Sequence, residues 1–484
     1  MYMQTASIWI GGAEVPAAQR EPVHDRWTGA PFAEVAVADA ALCRRGVEAS
    51  VAAFRELRRS PSHARRDVCA RIAAGLRREA ANLATLVARE AGKPITLARA
   101  EVERAATTFD LAAECATQAR GEVLALDRVA AHAAYSGRYE RAPLGPVLAF
   151  SPFNFPLNLV AHKVAPALEC GASVLVKPSP RTPLSALALA RLAREAGAHP
   201  DAVLVVLPTS DALAGELVAD PAFAVFTFTG SDRVGYGLKA RCGKKRALLE
   251  LGGNAAAIVH HDAPELERAL DALTASAFAY AGQVCIKTQR VYVHASRFDE
   301  VLEGLCARAK SLAPEEPTSA LGILGPMIDE ASAARVESWT AEALASPAGG
   351  VHAALRAARD GARLGPTVLS CLGDPRGLRV VEEEAFGPVL VVRPYATLGE
   401  ALAEVNASRY GLQAALFTDS ARAIDQAFEA LDVGGLVVND APSFRSDAMP
   451  YGGVKDSGLG REGVEHAVSE YTAPKMLVAR RVGG

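Results

Sequence analysis

The chain has little of what would place it in a specialised class of protein. Eight of its 484 residues are cysteines, and none stands in a CxxC or similar spacing, so we expect neither a disulfide framework nor a metal site. Sparse thiols without a pairing pattern predict a reducing, cytoplasmic environment. The formal net charge of −3, with Lys and Arg spread along the chain, offers no basic surface for nucleic acid.

Long apolar runs and targeting signals are also missing. The longest weakly polar stretch, 147–161, is interrupted by Ser151, Asn154, Asn158 and two prolines, so it is too short and too polar to span a bilayer. Residues 1–16 lack a basic segment followed by an apolar core, and we expect no signal peptide. Half of the residues are apolar and 22% are charged, which is typical of a globular protein with two or three domains at this length.

Apolar runs alternate with helical segments between residues 147 and 251. Such alternation predicts βαβ units and a parallel sheet that is buried on both faces. The predicted strands here are 147–150, 173–176, 203–207, 224–228 and 247–251, with the clearest helix at 183–196. Upstream, helices are predicted over 39–57, from Pro61 to Gly92, and after Pro94.

A second α/β region is predicted from residue 255 onwards. Its strands are 255–259, 289–294, 388–394, 413–418 and 434–438, and its helices are 296–310, 330–344, 398–408 and 420–431. The Ala- and Gly-rich segment 345–363 gives no clear prediction, and 450–461 is too glycine-rich for regular structure. Residues 121–146 predict a β-hairpin, which we expect to pair with another subunit or with a closing strand at 475–482.

Polar residues follow several strands of the first region at the point where each strand ends. Asn154, Lys177, the turn 229–231 and Glu250 all lie at this edge, where open α/β sheets bind their ligands. The common Gly-x-Gly-x-x-Gly fingerprint is missing. Residues 230–235, read Gly-Ser-Asp-Arg-Val-Gly, instead open a helix after a strand and permit contact with a phosphate, although such a sequence alone is more often only a turn.

A thiol and a carboxylate stand on two rigid elements near the middle of the chain. Cys285 lies in a loop just past the helix predicted to end at Gly282, and Glu250 closes a short strand. Together they are candidates for the nucleophile and the base of a covalent mechanism. The competing interpretation is that Cys285 is a buried apolar residue, which most cysteines are.

These features together resemble the NAD(P)-dependent aldehyde dehydrogenase superfamily, over nearly the whole chain. Each motif is only moderately specific, and their order and spacing carry the resemblance. The motifs are Pro152-Phe-Asn-Phe-Pro156, Lys177-Pro178, Phe228-Thr-Gly-Ser231, Glu250-Leu-Gly-Gly253, Gly282-Gln-Val-Cys285, Glu383-Glu-Ala-Phe-Gly-Pro388 and the 450–461 loop.

The resemblance implies an α/β fold with a Rossmann-type cofactor domain, an α/β catalytic domain and a β-ribbon for oligomerisation. The implied boundaries are 1–121 with 146–251 for the dinucleotide-binding domain, 252–440 for the catalytic domain, and 122–145 with 441–484 for the oligomerisation ribbon and C-terminal segment. A homodimer or homotetramer is expected, with no nucleic-acid or membrane partner.

The resemblance also implies roles for three catalytic residues. Cys285 would attack an aldehyde, and the Asn154 side-chain amide with the Cys285 backbone N–H would stabilise the oxyanion. Glu250 would then activate the water that hydrolyses the thioester. Because branches that transfer the acyl group to coenzyme A tend to lack this glutamate, Glu250 favours a free acid as the product.

The implied cofactor is NAD or NADP. Lys177 would bind the adenosine ribose, Glu384 the nicotinamide ribose, and both are otherwise interpretable as solvated charges. NAD-preferring relatives often carry an acidic residue at the position of Pro180, so its absence here permits NADP. The full set of expected cofactor residues is Ser151, Phe153, Lys177, Gly230, Ser231, Leu251, Glu384 and Phe386.

The substrate is expected to be a short aldehyde that is polar or anionic. Asn158 and His162 stand where relatives that oxidise fatty or aromatic aldehydes carry bulky apolar groups, and Arg445 lies in the loop bordering the substrate entrance. All three are also interpretable as structural polar groups. Glu462 is either a proton relay near the nucleophile or an ion-pair partner of Arg461.

Two other functions remain open at this point. A coenzyme A-acylating semialdehyde dehydrogenase would use the same cysteine, and a binding or structural protein could keep the fold without the activity. Retention of Cys285, Glu250, Asn154, Lys177 and Glu384 together disfavours the second alternative.

Overall fold

The computed structural model describes residues 4–118, 120–319 and 321–480. The helices in these ranges are α1 Ala40–Leu57, α2 Ser62–Arg78, α3 Ala80–Ala91, α4 Ile95–Cys115, α5 Asn158–Cys170, α6 Leu184–Glu195, α7 Asp211–Ala219, α8 Asp232–Lys239, α9 Leu266–Phe278, α10 Phe298–Lys310, α11 Glu330–Leu344, α12 Arg379–Glu382, α13 Leu398–Asn406, α14 Ala421–Ala430 and α15 Val464–Tyr471. Among these residues, no helix has both the length and the apolar character that a membrane crossing requires.

The strands pair into two large sheets and several small ones. In chain order they are β1 Gln4–Ala6, β2 Ile8–Ile10, β3 Ala13–Val15, β4 Gln19–His24, β5 Pro31–Val37, β6 Gly121–Leu124, β7 Tyr135–Pro143, β8 Val147–Phe150, β9 Val174–Lys177, β10 Val203–Val205, β11 Val225–Thr229, β12 Arg246–Glu250, β13 Ala256–Val259, β14 Arg290–His294, β15 Val351–Arg356, β16 Arg359–Asp360, β17 Arg363–Leu364, β18 Thr367–Cys371, β19 Val389–Tyr395, β20 Tyr410–Gly411, β21 Gln413–Phe417, β22 Gly435–Val438, β23 Val454–Lys455, β24 Gly458–Leu459 and β25 Thr472–Arg480.

The first large sheet has the strand order β10-β9-β8-β11-β12-β24. All of its neighbours run parallel except β12 and β24, which are antiparallel. Every residue of β8 and all but the last residue of β9 are buried, as expected for strands covered on both faces. The five strands predicted in this region are confirmed, and with them the α/β class.

The second large sheet has the order β15-β18-β19-β14-β13-β21-β22. The strands predicted for this region are confirmed. The segment 345–363, which gave no clear prediction, contains β15. That strand is an antiparallel edge with a bulge between Ala353 and Leu355, and most of its side chains are exposed. An exposed edge strand needs little apolar patterning, which is why its sequence is uninformative.

The predicted ribbon is a three-stranded sheet of order β25-β7-β6. Strands β7 and β25 pair antiparallel over nine residues, from Pro143 with Thr472 to Tyr135 with Arg480. Of the two partners expected for the hairpin, the C-terminal strand is therefore the one observed within the chain. The end of the predicted closing strand, 481–482, lies outside the described residues.

Two local predictions were wrong. The single helix expected up to Gly92 is divided into α2 and α3 at Glu79, whose φ of −100° and ψ of 14° leave the helical range. The glycine-rich loop 450–461 is partly regular, because β24 pairs with β12 through Gly458 and Glu250. The backbone of the expected base is therefore held from both sides.

Two buried glutamates cap the helices that flank the first sheet. The backbone N–H groups of Leu157 and Asn158 at the start of α5 donate to Glu101 Oε1 at 3.0 and 3.1 Å. Likewise, Leu184 N–H at the start of α6 donates to Glu90 Oε2 at 2.9 Å. Neither helix has a side-chain cap of its own, so the carboxylates satisfy otherwise unpaired donors and complement the helix dipole.

Lys93 neutralises the charge of Glu101 inside the protein. The two side chains form an ion pair and are almost fully buried. The Lys93 ammonium lies 3.5 Å from the centroid of the Phe155 ring and 4.8 Å from that of Tyr280. Burial lowers the pKa of Lys93 to about 8, although the Glu101 carboxylate acts to raise it. This pair joins α4 to the segments that precede α5 and follow α9.

We predict that Glu101→Gln lowers the free energy of unfolding by about 3 kcal/mol, because it leaves the Lys93 charge buried without a counter-ion. Denaturant unfolding of both proteins measures the difference. Glu103→Gln is the matched control: that glutamate lies on the same helix, its side chain is 58% exposed, and its ion pair with Arg77 is worth at most about 1 kcal/mol. Equal losses in the two variants would contradict the prediction.

Candidate active site

A left-handed turn carries the chain from α9 into the loop of Cys285. Tyr280, Ala281 and Gly282 have φ values of 54°, 53° and 66°. A Cβ on Gly282 would lie 2.3 Å from the Gly387 carbonyl oxygen, so only glycine fits there. The Tyr280 hydroxyl donates to the Ala91 carbonyl at 2.8 Å and helps to impose a conformation that Tyr and Ala rarely adopt.

Cys285 is partly accessible, and its sulfur lies 3.2 Å from the Tyr451 hydroxyl oxygen. Burial raises the pKa of the Cys285 thiol to about 11; the hydrogen bond from Tyr451 and the charge of Arg445 act to lower it, whereas the Glu384 and Glu250 carboxylates act to raise it. Burial also raises the pKa of Tyr451 well above its usual value, so this hydroxyl keeps its proton and can donate to a thiolate. Sequence analysis missed Tyr451, which stands in a loop where glycines dominate.

Asn154 lies beside the loop that carries Cys285. Its side-chain amide donates to the Gln283 carbonyl oxygen at 2.9 Å, two residues before Cys285. The side chain of Gln283 is itself fixed at both ends. Its Nε2 donates to the Pro326 carbonyl at 3.2 Å, and its Oε1 accepts from Ile328 N–H at 2.8 Å. An amide nitrogen carries two hydrogens, so the bond to Gln283 leaves one for a further acceptor.

Glu250 ends β12 with its side chain buried. Its Oε2 has no hydrogen-bond partner among the residues that the structure describes. Burial raises the pKa of Glu250 well above its usual value, and the neighbouring Glu462 carboxylate raises it further. A raised pKa makes a carboxylate a stronger base than an ordinary glutamate, which suits a general base.

Glu462 is the ionised partner in this pair of carboxylates. It accepts from the Lys163 ammonium at 3.0 Å and from Arg445 Nη2 at 3.2 Å. Burial acts to raise the pKa of Glu462, but Lys163 and Arg445 outweigh it and hold the pKa at about 2. The expected pairing with Arg461 is not observed, since that guanidinium donates to backbone carbonyls instead. Lys163, another buried ionic group, was missed from the sequence.

The three expected substrate residues lie close to this pair of carboxylates. The Arg445 guanidinium carbon is 3.7 Å from the centroid of the Tyr451 ring. His162 Nε2 is 2.9 Å from Asp447 Oδ1, and burial together with the charge of Arg445 lowers the pKa of His162. Asn158, four residues earlier on α5, is buried, and in the described part of the chain its Nδ2 has no partner.

Lys177 and Ser151 lie at the carboxyl edge of the first sheet, as expected. Burial lowers the pKa of Lys177, whose ammonium is 5.5 Å from the centroid of the Phe150 ring. Ser151 N–H donates to the Lys177 carbonyl at 3.1 Å, and within the described ranges the buried Ser151 hydroxyl has no partner. An ammonium and an unsatisfied hydroxyl at this edge suit the ribose hydroxyls of a dinucleotide.

Gly230 and Ser231 lead into the N-terminus of α8. Gly230 N–H donates to the Glu250 carbonyl at 3.1 Å, which fixes this turn against the next strand. Ser231 precedes α8 without forming a side-chain cap, so the first N–H groups of the helix face outward for a phosphate. A Cβ on Gly235 would lie 2.5 Å from Leu251, which places Leu251 in the core beneath α8.

Glu384 and Phe386 precede β19 of the second sheet, and Phe386 meets Phe153, which follows β8 of the first sheet. Glu384 Oε1 accepts from Gly253 N–H at 3.1 Å, and burial raises the pKa of this carboxyl to about 7. The rings of Phe153 and Phe386 pack edge to face with centroids 5.8 Å apart. The Glu384 and Glu250 carboxylates both act on the pKa of the Cys285 thiol, so the residues expected for catalysis and for the nicotinamide ribose lie near one another.

Comparisons with known proteins agree with this geometry. The model of the aldehyde dehydrogenase family matches residues 14–477. The 3-sulfolactaldehyde dehydrogenase of Priestia megaterium is 38% identical over 472 residues, which are 97% of this chain and 97% of that protein.

Two solved structures have the same fold over almost the whole chain. Aldehyde dehydrogenase 21 from Physcomitrella patens, in complex with its reaction product succinate, has a TM-score of 0.96 at 38% identity and covers 100% of both chains. Glyceraldehyde-3-phosphate dehydrogenase GapN from Methanocaldococcus jannaschii, complexed with NADP, has a TM-score of 0.90 at 32% identity and covers 96% of this chain and 100% of its own. The chain therefore belongs to the aldehyde dehydrogenase family, whose members oxidise aldehydes with NAD or NADP.

Proposed function

We propose that this enzyme oxidises short anionic aldehydes to carboxylic acids, with Cys285 as the nucleophile. The observation that carries the proposal is the buried network that leads from Cys285 through Tyr451 and Arg445 to Glu462. This network stabilises a thiolate on one side and an anionic substrate on the other.

In the first step, the Cys285 sulfur attacks the carbonyl carbon of the aldehyde. The Tyr451 hydroxyl and the charge of Arg445 favour the thiolate, which offsets part of the cost of burial. The oxyanion of the resulting thiohemiacetal accepts hydrogen bonds from the Asn154 amide and the Cys285 backbone N–H. Loss of one such donor typically raises a barrier by about 2.7 to 4 kcal/mol.

The carboxyl edge of the first sheet suits a dinucleotide, which when bound supplies the acceptor for the hydride that the thiohemiacetal loses. Lys177 and Ser151 would bind the adenosine ribose, Gly230 and Ser231 the pyrophosphate, and Glu384 the nicotinamide ribose. Arg181, beside Pro180, is 50% exposed and paired with Asp329 at 2.8 Å. Pro180 lacks the acidic side chain that would repel a 2′-phosphate at this position, and we propose that both NAD and NADP are used.

In the last step, water hydrolyses the Cys285 thioester. Glu250 accepts a proton from this water, because its raised pKa makes it the stronger base of the two buried carboxylates. Glu462 stays ionised between Lys163 and Arg445, and its charge maintains the raised pKa of Glu250. Transfer to coenzyme A would need no such base, and an inactive binding protein would need neither carboxylate.

The charge around Arg445 favours an anionic substrate. Burial and Glu462 raise the pKa of Glu250, which disfavours a further negative charge there, and burial with the charge of Arg445 lowers the pKa of His162. The remaining members are the cations Lys163, Arg104 and Arg445 and the carboxylates Glu462 and Asp447, which leaves one positive charge in excess. The names of the three relatives also fit, since sulfolactaldehyde, succinate and glyceraldehyde 3-phosphate each carry an anionic group.

We further propose a cytoplasmic homodimer or homotetramer. All eight cysteines are free thiols, which suits a reducing compartment. Val123 on β6 and Leu477 on β25 both pair with Arg138, so they share one face of the ribbon sheet. These two apolar side chains are 79% and 50% exposed, and a second copy of the chain would cover them.

We predict that Glu250→Gln forms about one equivalent of NAD(P)H in a first turnover and then proceeds about 10²- to 10⁴-fold more slowly than the wild type, because only hydrolysis of the thioester needs the base. Stopped-flow absorbance measures both phases. Cys285→Ala should show neither phase. A wild-type rate that rises with coenzyme A and yields an acyl thioester would instead support the acylating alternative.

For Arg445→Met, we predict that kcat/KM falls about 10- to 100-fold more for a four-carbon semialdehyde with a terminal carboxylate than for the neutral aldehyde of equal length. A hydrogen bond to a charged group is worth about 1.5 to 3 kcal/mol, which corresponds to that range. Arg246→Met, on the strand of Glu250 but paired with Glu470 at the surface, is the control and should change neither value. Equal losses for both aldehydes would mean that Arg445 acts only on the thiol or the fold.

Leu477→Asp should reduce the assembly to smaller species, because it places a charge in the apolar face that we assign to the interface. Size-exclusion chromatography with light scattering measures the mass. Phe428→Asp, at an isolated aromatic that is 76% exposed on α14, should leave the mass unchanged. A wild-type protein that is monomeric at micromolar concentration would rule out the proposed assembly.

A further inference from the structure

The carboxyl edge of the second large sheet carries a histidine cluster that the reaction does not use. His260 and His261 directly follow β13, His294 ends β14, and Tyr395 ends the neighbouring β19. The ring centroids of His260 and His261 are 4.3 Å apart, and those of His261 and His294 are 5.3 Å apart. The edge of a parallel sheet at which this cluster lies is the edge where α/β folds bind ligands.

A tight turn brings two imidazoles and a carboxylate together at this edge. Ala263 N–H donates to the His260 carbonyl at 3.1 Å, so the chain reverses as soon as β13 ends. One potential ligand atom from each of His260, His261 and Asp262 lies within 4.8 Å of the other two. In an extended strand, the middle of three consecutive side chains would point away from its neighbours. The turn therefore creates a cluster that sequence spacing alone does not reveal.

Hydrogen bonds with neighbouring hydroxyl groups orient the side chains of His260 and Asp262. The Tyr395 hydroxyl donates to the Val259 carbonyl at 3.4 Å and lies 2.7 Å from His260 Nδ1. In the tautomer in which the hydroxyl proton points to Val259, Nδ1–H of His260 donates to the Tyr395 oxygen, and a lone pair on Nε2 is free for a metal. Thr418 donates to Asp262 Oδ1 at 2.6 Å and orients that carboxylate.

We propose that His260, His261 and Asp262 form a binding site for a divalent transition-metal ion, with Zn²⁺ as the ion of best fit. Two imidazole nitrogens and one carboxylate oxygen are ligands that Zn²⁺ takes at about 2.0 to 2.2 Å. Mg²⁺ and Ca²⁺ prefer sets made of oxygen. Ligand atoms of a tetrahedral zinc ion lie about 3.3 Å apart, so the exposed His261 side chain must move inward by roughly 1 Å or more.

Three protein ligands leave a fourth position for water. His294 flanks the site without joining it through Nδ1, because that nitrogen already accepts from Ser296 N–H at 3.3 Å. Tyr395 and Thr418 contact the ligands rather than the metal, which is the arrangement that fixes ligand orientation in protein metal sites.

The proposed metal site is separate from the catalytic one. Cys285 precedes the first residue of β14, whereas His294 is its last, so the two sites face opposite ends of a five-residue strand. At about 3.3 Å per residue, this strand separates them by roughly 15 Å. The ligands contact none of the groups proposed for catalysis, so metal affinity and aldehyde oxidation can be measured independently.

The test is titration of the full-length, EDTA-treated and dialysed protein with Co²⁺, followed by competition with Zn²⁺. We expect one equivalent of Co²⁺ per chain, visible d–d bands, and no thiolate-to-cobalt charge-transfer band, since every ligand is nitrogen or oxygen. His260→Gln and His261→Gln should each weaken binding at least tenfold, and Tyr395→Phe about tenfold through loss of ligand orientation. His352→Gln, at an exposed histidine on β15, should bind like the wild type.

Melting temperatures in EDTA show whether each variant folds, and stoichiometric Zn²⁺ should raise that of the wild type but not that of His261→Gln. Aldehyde oxidation by the metal-free variants should equal that of the wild type. Absence of a stoichiometric cobalt complex, a thiolate charge-transfer band, or unchanged affinity in both His260→Gln and His261→Gln would each overturn the proposal.

Discussion

The ionisation of Glu462 is the interaction on which the active site depends. Lys163 and Arg445 hold this buried carboxylate as an anion, and the anion in turn raises the pKa of Glu250. The hydrogen bond from Arg445 to Glu462 also holds the guanidinium against the Tyr451 ring. The hydroxyl of Tyr451 in turn contacts the sulfur of Cys285. The charges of Cys285, Glu250 and Arg445, the groups proposed as nucleophile, base and substrate-binding cation, therefore depend on one another. A change in any one of these charges alters the proton affinity of the others.

Buried charged groups with nearby partners also stabilise the fold around this site. Glu101 and Glu90 reach from α4 and α3 to the first turns of α5 and α6, where they replace caps that those helices lack. Lys93 then links Glu101 to the rings of Phe155 and Tyr280. Asn154 precedes α5 and Cys285 follows Tyr280, so the ion pair of Lys93 with Glu101 supports the segments that carry both side chains. Because breaking a buried ion pair costs several kcal/mol of stability, this pair holds the two segments in place.

Sequence predicts the features of this protein that are local. The strands 147–150 and 256–259 are continuous apolar runs because both faces of their sheets are covered, and a polar residue directly after such a run must lie at the sheet edge. That reasoning found Asn154, Lys177 and Glu250. The left-handed Tyr280 and Ala281 had no sequence signal, because their conformation is imposed by contacts with distant segments such as the carbonyl of Ala91.

Long-range pairing explains most of what sequence did not predict. Lys163 and Glu462 are 299 residues apart, and neither has a neighbour in the chain that marks it as buried. Pairing with Arg461 was one of two alternatives for Glu462, but the Arg461 guanidinium donates to the backbone carbonyls of Gly453 and Gly460 instead. Tyr451 was missed since glycines suggested an irregular loop, although β24 within that loop pairs with the strand of Glu250.

The order of the chain has a consequence for how the enzyme is made. Arg445, Tyr451 and Glu462 belong to the last forty residues, and the strand after them completes the nine-residue ladder with β7. Domains fold from the N-terminus during synthesis, so most strands of the two large sheets can pair before these side chains emerge. Until then Cys285 lacks the hydroxyl and the cation that favour its thiolate. The surroundings of the Cys285 sulfur are therefore completed only after the C-terminal segment has been synthesised.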